Sequence, residues 1–575
     1  MKKTKLNYLT IFILAALVMS SCAGLTKMRD KSSVVTYQVN PNPLVEQAGA
    51  VKVSGDVKFP EKYFNKKAVV TATPVLKYEG GQVEYPATTL QGEKVEGNNK
   101  VIPYAGGSYS YTGTIPYKPE MMKSELFINY SARIKEKTPV EFVSVKIADG
   151  VVATSTLVKV DPQTVILPDN FKRIIPESYS GDIFYQINKA DVRKSELKGD
   201  EIKNFEQQIT DAKATPNKQF KDAKISAYAS PDGAYTLNEK LAAKRQASAE
   251  KYFKKALKDK EITQAEAEDF LKTMTTAEDW EGFKAMMEKS NIQDKDLILR
   301  VLSMYSDPDV REKEIKNISA AYKEIAEEVL PKLRRSVMTV DVDVVGKSDD
   351  ELLKLGLTDP KSLNREEILY AASLTKDPNE KAAIYKAATL NFPDCVRAAN
   401  NLGDVYLQQG KLDDAKAALE AARAIDNNNV TVKANLGALA LAQGDLKTAE
   451  DLLTSAMSAG DAASYNLGII KIKQGDYAAA VNYFGNKPSF NAALAQMLNG
   501  SNDKAIATLN ALGDVKDGWV YYLKAVASAR GGVADGVVNN LRQAISLDPS
   551  IKAYALKDAE LLKFATNDAV KQLLQ

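Results

Sequence analysis

No histidine occurs anywhere in this chain. Its absence removes Ser-His-Asp and Cys-His nucleophilic machinery and every histidine-containing metal site. No paired-carboxylate motif, P-loop or dinucleotide fingerprint takes its place, and Gly80-Gly81, Gly106-Gly107 and Gly531-Gly532 lack phosphate-loop context and read as turns. The expectation is a chain with no enzyme activity, no cofactor and no bound metal. The side chain with the clearest chemical prospect is a thiol. Met19-Ser20-Ser21-Cys22 closes a short apolar run, Tyr8 to Met19, behind Lys2, Lys3 and Lys5. This is the pattern of a lipobox, in which Cys22 becomes an acylated N-terminus; the alternative is an ordinary secretory signal that happens to contain a cysteine. The apolar run is too short to cross a bilayer as a stable helix. Three acyl chains would hold the protein durably to a membrane, whereas a single chain anchors weakly.

Cys395 is the other cysteine, so with Cys22 acylated no intramolecular disulfide remains and packing alone must hold the fold. The formal charge is +3, and Lys2, Lys3 and Lys5 lie in the signal, which leaves a nearly neutral mature chain with no call for nucleic acid. At 575 residues the chain has room for three or four domains.

The elements fall into blocks. Residues 1–21 read as the signal and 22–42 as a polar linker that lifts the folded part off the membrane. Residues 43–165 carry period-2 runs rich in valine, threonine and tyrosine, such as Val51-Lys-Val53-Ser and Val143-Ser-Val-Lys-Ile147, separated by turn signals at Gly97-Asn98-Asn99 and Asp149-Gly150. That pattern predicts a β-sandwich. Its aromatics, among them Tyr63, Phe64, Tyr78 and Tyr130, have two readings, packing in the core, which is favoured for rings scattered this way, and lining a ligand groove.

From residue 175 to 346 the order changes to α/β. Ile183 to Lys189 reads as a strand running into a polar turn, Ser195 to Ala212 as a helix, and Lys224 to Ala229 as a strand. The turn Ser230-Pro231-Asp232-Gly233 precedes a long helix from about Leu237 to Leu257, and Met338, Val340, Val342 and Val344 alternate in a third strand. An insertion over about 259–332 reads as helical, with Thr275 and Glu278 at capping-box spacing. The strand Ile183 to Lys189, the turn after Tyr228 and Asn238-Glu-Lys-Leu-Ala-Ala-Lys-Arg245 resemble the OmpA-like peptidoglycan-binding domain. The resemblance implies a site in which an aspartate and an arginine grip the charged groups of a stem peptide through charge-assisted hydrogen bonds. Arg245 matches that arginine. The aspartate position is Ser230, and Asp232, two residues along the same turn, is the candidate substitute.

After a linker over 347–364, residues 365–575 repeat. Gln409-Gly-Lys-Leu-Asp-Asp-Ala415 recurs as Gln443-Gly-Asp-Leu-Lys-Thr-Ala449 and Gln474-Gly-Asp-Tyr-Ala-Ala-Ala480, each preceded by Asn-Leu-Gly at Asn401, Asn435 and Asn466. The first step is 34 residues, as in tetratricopeptide repeats, and the next is 31. An all-α solenoid follows, with a groove suited to a peptide or partner protein. Asn401, Asn435 and Asn466 have two readings: they reach a bound backbone, or they satisfy neighbouring loops. Cys395 is expected as a small core residue.

The whole is thus read as a multidomain protein of β-sandwich, α/β OmpA-like domain and tetratricopeptide array, and it resembles Bacteroidota envelope lipoproteins. The implied role is a non-catalytic scaffold linking the outer membrane to peptidoglycan and holding a protein partner. The rival is an accessory subunit of an outer-membrane secretion or surface-assembly machine that does not bind peptidoglycan. Ala23 to Met28 carries no acidic residue, unlike the acidic surface-export signal of that phylum, which favours the periplasmic leaflet.

Overall fold

A computed structural model describes residues 24–575, so Cys22 and the signal lie outside the described residues. The chain forms two compact units. One combines the chain up to Pro168 with Asp377–Gln575, and the other is Asp169–Lys376.

In the first unit the strands are β1 Thr36–Asn40, β2 Leu44–Gln47, β3 Ala50–Phe59, β4 Val69–Tyr78, β5 Gly81–Glu84, β6 Thr88–Gly92, β7 Lys100–Ile102, β8 Gly107–Pro116, β9 Ser124–Arg133, β10 Val140–Glu141, β11 Val145–Asp149 and β12 Val151–Val152. One sheet runs β1-β3-β2-β12 with β8 on β3, and the other runs β10-β9-β4-β6-β7 with β11 on β9 and β5 on β4. Alternation builds the core between them. Val51, Val53 and Val57 of β3 and Tyr109, Tyr111 and Ile115 of β8 meet Val70, Ala72 and Leu76 of β4 and Leu126, Ile128 and Tyr130 of β9. Gly55 interrupts the β3 pattern because the ring of its cross-strand partner Tyr111 would lie 2.6 Å from a Cβ there.

The stretch 22–42 is not a free linker in its described part. Residues 24–30 form a helical turn whose Leu25 and Met28 are buried in the sandwich core, and β1 pairs antiparallel with β3. Val35, Tyr37 and Val39 alternate with polar residues, a strand signal too short to stand alone, while the order of residues 24–30 comes from the surface they land on.

Asp377–Gln575 is all-helical. Helix pairs Val396–Gln408 with Leu412–Ile425, Val430–Ala442 with Leu446–Ser455, Asp461–Lys473 with Tyr477–Phe484, Phe490–Leu498 with Asn502–Asn510, and Gly518–Arg530 with Ala534–Leu547 follow Pro378–Asn391. Two glycines per repeat have separate tasks. Gly403, Gly437 and Gly468 let the paired helices cross, since a Cβ would meet Leu419, Leu453 and Phe484 at 2.5, 2.6 and 2.7 Å. Gly410, Gly444 and Gly475 turn the chain with φ of 71°, 82° and 74°, the left-handed conformation that ends a helix. Cys395 is buried at the start of Val396–Gln408.

The second unit holds a four-stranded sheet in the order β13-β16-β14-β15, with β13 Ile174–Phe184, β14 Lys218–Tyr228, β15 Leu271–Thr276 and β16 Arg335–Val345. Helices Asp200–Ala214 and Tyr235–Asp259 contribute Ile202, Phe205, Ile209, Ala249 and Phe253 to one core with Ile183, Ile225, Met338 and Val340. The insertion 259–332 is therefore not wholly helical, because β15 pairs parallel with β14 as the fourth strand. Its side chains are mostly exposed, so no apolar alternation marks it, and Ile262 and Phe270 before it supply the burial. Thr275 lies in this strand, and the cap of helix Trp280–Lys289 is Asp279, which accepts from the Gly282 N–H at 2.8 Å. The remaining helices of the insertion close a separate small core around Phe283, Met287, Ile298, Ile315 and Ile325.

Two boundaries shift. The stretch 347–364 is largely the helix Asp349–Thr358, and the helix Arg365–Leu374 belongs to this unit rather than to the repeat array. Phe171 stacks on Tyr370 at 4.4 Å, Tyr370 donates to Asp349, and Lys347 pairs with Glu367 at 2.8 Å.

Candidate functional site

The first helices of the repeat pairs carry a row of buried amides. Asn400, Asn435, Asn466 and Asn491 are 0% exposed and Asn401 is 2% exposed, so each must find hydrogen-bond partners inside the protein. Those partners are main-chain groups of the chain's own segment 159–167, which leaves the sandwich after β12 and runs extended along the groove, against the order of the repeats.

The contacts form a ladder. Asn491 accepts from the Lys159 N–H at 2.9 Å and donates to the Lys159 carbonyl at 2.8 Å. Asn466 does the same for Gln163 at 2.8 and 2.7 Å, Asn435 for Val165 at 2.8 and 2.8 Å, and Asn401 for Leu167 at 2.8 and 2.8 Å. Each carboxamide stands in for a residue of a neighbouring β-strand, giving an acceptor and a donor to one residue of the segment. Asn400 adds a bond to the Val165 carbonyl at 3.1 Å and accepts from Asn435 at 3.0 Å. In an extended chain alternate residues point their N–H groups to opposite edges, so Pro162 and Pro168 fall where their missing N–H takes nothing from the ladder.

Side chains fix the register. Thr164 donates its hydroxyl to Asp404, Asp161 accepts from Tyr465 at 2.9 Å and from Asn491 at 3.1 Å, and Lys159 pairs with Asp517 while lying 4.4 Å over the Phe490 ring. Burial raises the pKa of both Asp161 and Asp404, opposed by these hydrogen bonds. At the sandwich end, Ser155 donates to Glu46, Thr154 to Glu560, and Gln47 to the Gly475 carbonyl at 2.9 Å. Stripping the segment away returns each amide to water, so each neutral bond contributes a net gain of about 1 kcal/mol, and the closed groove rests on the sum of these bonds and of the side-chain contacts.

Asn401, Asn435 and Asn466 thus lie together on a peptide backbone, and that backbone belongs to this chain. Asn400, Asn491, Asp404 and Asp517 join them without having stood out in the sequence. Asn491 sits 25 residues past Asn466 and lacks the Leu-Gly that follows the others, so the repeat signature misses it.

In the second unit, Arg245, Ser230 and Asp232 also come together, and they face inward. Arg245 is 0% exposed; it donates to the carbonyls of Tyr228 at 2.8 Å and Lys189 at 3.1 Å, with a longer contact to Gln186, and its guanidinium stacks 5.1 Å from the Tyr185 ring. Burial lowers its pKa to about 10, which leaves it charged at neutral pH. The Ser230 hydroxyl donates to Asp232 and accepts from Arg334 at 3.1 Å, and Arg334 pairs with Asp232 at 3.1 Å. Asn238 donates to the carbonyls of Ser230 and Gly233 at 3.2 and 2.8 Å. Beside this cluster opens a concavity of about 860 Å³ lined by Lys189, Arg193, Lys332 and Arg334 with Phe184, Ile187 and Pro331.

A tetratricopeptide repeat family profile matches residues 381–430 and 406–464. No curated protein matches the chain. Among solved structures, PilF of Pseudomonas aeruginosa is 17% identical over 39% of this chain and 100% of that one, with a TM-score of 0.30. YrrB, a tetratricopeptide protein with an unusual peptide-binding site, is 20% identical over 29% and 94%, with a TM-score of 0.25. A tetratricopeptide repeat protein from Parabacteroides merdae is 13% identical over 51% and 98%, with a TM-score of 0.26. Likenesses this low carry no argument about function. The profile match and the helix pairs establish that the C-terminal region is an array of tetratricopeptide repeats, a protein-interaction module.

Proposed function

We propose that the chain is a non-catalytic envelope scaffold, held on the periplasmic side of the outer membrane by acylated Cys22, which presents its repeat array to protein partners and reaches peptidoglycan with the inserted unit. The observation behind the scaffold reading is the asparagine ladder. It joins sandwich and repeats into one compact unit, and it makes the array part of the anchored body. With the groove filled from within, partners meet the outer surfaces of the array or must displace the segment. Support for wall contact comes from the strand and helix order of the inserted unit and from the concavity beside Arg334, whose exposed Lys189 and Lys332 suit the carboxylates of a stem peptide, while Arg193 and Arg334 are paired with Glu196 and Asp232. Retention on purified sacculi tests it. Wild type is expected to be retained and Lys189→Glu/Lys332→Glu to be lost; equal retention, or none in either, overturns wall binding. Membrane fractionation of Cys22→Ser tests the anchor, with release into the soluble fraction expected.

A second reading has its own support. Arg245 and Asp232 are already satisfied by Tyr228, Lys189 and Arg334, which leaves the pair implied by the OmpA-like resemblance turned inward. The inserted unit then serves as a docking fold in an outer-membrane assembly. Cross-linking in cells that captures a membrane machine through the repeats, with no sacculus retention, supports this alternative.

A further inference from the structure

The chain is fastened to the sandwich from its first described residue. The Tyr63 hydroxyl donates to the Met28 carbonyl at 3.0 Å, the Asn65 N–H reaches the Met28 Sδ at 3.2 Å, and a Cβ on Gly24 would meet the Asn65 amide at 2.6 Å. Cys22 stands two residues before Gly24, and two residues span at most about 7 Å. An acylated Cys22 therefore brings the bilayer surface to this end of the sandwich, with no spacer between them.

The same end is rich in cations. Lys27 and Lys31 flank the helical turn, Lys62, Lys66 and Lys67 follow β3, and the Lys94 N–H bonds the Lys66 carbonyl at 2.8 Å. Asp30, Glu61 and Glu93 are taken up by Arg29, Lys62 and Lys66 at 3.0, 3.5 and 3.0 Å. Lys27, Lys31, Lys67 and Lys94 have no carboxylate within ion-pair distance among the described residues, and all four are exposed. Glu96, two residues past Lys94, reduces this excess without cancelling it. Tyr104 is also exposed, with the Lys66 ammonium 4.6 Å over its ring. A tyrosine among lysines suits the level of lipid headgroups, where the ring meets the interface and the ammonium groups meet phosphates.

We propose that Lys27, Lys31, Lys67 and Lys94, with Tyr104, form a docking face for anionic lipid headgroups that lays the sandwich flat on the membrane. This face rests on the acylation of Cys22. The test uses the acylated chain in vesicles containing phosphatidylglycerol and in vesicles of phosphatidylcholine alone, reading amine modification at each lysine by mass spectrometry. Lys67 and Lys94 are expected to react at least tenfold more slowly on the phosphatidylglycerol vesicles, with Lys416 of the repeat array unchanged. Salt at about 1 M, where screening shortens to about 3 Å, abolishes the difference. Equal rates in both vesicles overturn the docking face while leaving the anchor standing. A purified chain that joins neither vesicle and carries no fatty acid on Cys22 overturns the anchor instead.

Discussion

The repeat groove and the turn around Arg245 are two sites where polar side chains come to rest on main chain, and they do so with different chemistry. In the groove, neutral amides meet both the N–H and the carbonyl of alternate residues, a geometry that any extended backbone can satisfy. In the turn, one buried cation takes only carbonyls, one at the end of β14 and one in the turn at Lys189. The first arrangement recognises a conformation and the second enforces one. The groove segment is consequently held by bonds that do not depend on its side chains, whereas Arg245 is a strut whose removal disturbs its own unit.

Replacing Asn401, Asn435, Asn466 and Asn491 together by alanine breaks the groove side of this contrast. Cleavage within residues 160–167 in limited proteolysis is expected to rise by about a hundredfold or more, because the loss of bonds each worth about 1 kcal/mol frees the segment. Arg245→Leu tests the strut. It orphans the carbonyls of Tyr228 and Lys189, so the inserted unit should lose about 3 kcal/mol in denaturant unfolding while proteolysis of the segment stays unchanged.

Asp558 adds a pH dependence to the groove's own unit. Burial pushes its carboxyl up to about 6 from 3.8, although the Tyr522 hydroxyl at 2.5 Å and the Glu560 N–H at 2.9 Å work against the rise. A carboxyl raised by folding favours its protonated form, so stability is greatest below about pH 4 and falls as pH rises through about 6, by about 2–3 kcal/mol in all. Asp558→Asn should remove that slope in melting curves taken from pH 4 to 8. The smallest effect is expected for Thr164→Val, which deletes the hydroxyl bonded to Asp404 and leaves the ladder intact. It should cost about 1 kcal/mol and raise segment cleavage only several-fold.

How much of this was legible in the sequence differs by element. The repeats were readable because Asn-Leu-Gly and Gln-Gly recur at nearly fixed spacing, and each glycine has a local reason to be there. The sandwich strands showed themselves through alternation. By contrast, β15 and residues 24–30 carry weak patterns and are ordered by the surfaces they meet. The groove's occupant was the least visible part. Lys159 to Leu167 has too little alternation for a strand and pairs with no strand, since its partners are side chains more than two hundred residues away. The asparagines were conspicuous, but spacing alone did not distinguish an outside peptide from a segment of the same chain. In the inserted unit, Arg245 stands on the helix Tyr235–Asp259 and Ser230 and Asp232 in the turn before it, while Arg334, which ties Ser230 to Asp232, sits at the foot of β16 with no motif to flag it.

The closed groove is tested most directly by residue-resolved amide hydrogen exchange across the segment. Gln163, Val165 and Leu167 donate their N–H groups to the ladder, whereas the N–H groups of Thr164 and Ile166 make no hydrogen bond among the described residues. Slow exchange is expected at 163, 165 and 167, alternating with fast exchange at 164 and 166, and the alternation is expected to vanish in the fourfold asparagine variant. Uniformly fast exchange from 163 to 167 in the wild-type protein would contradict the closed groove.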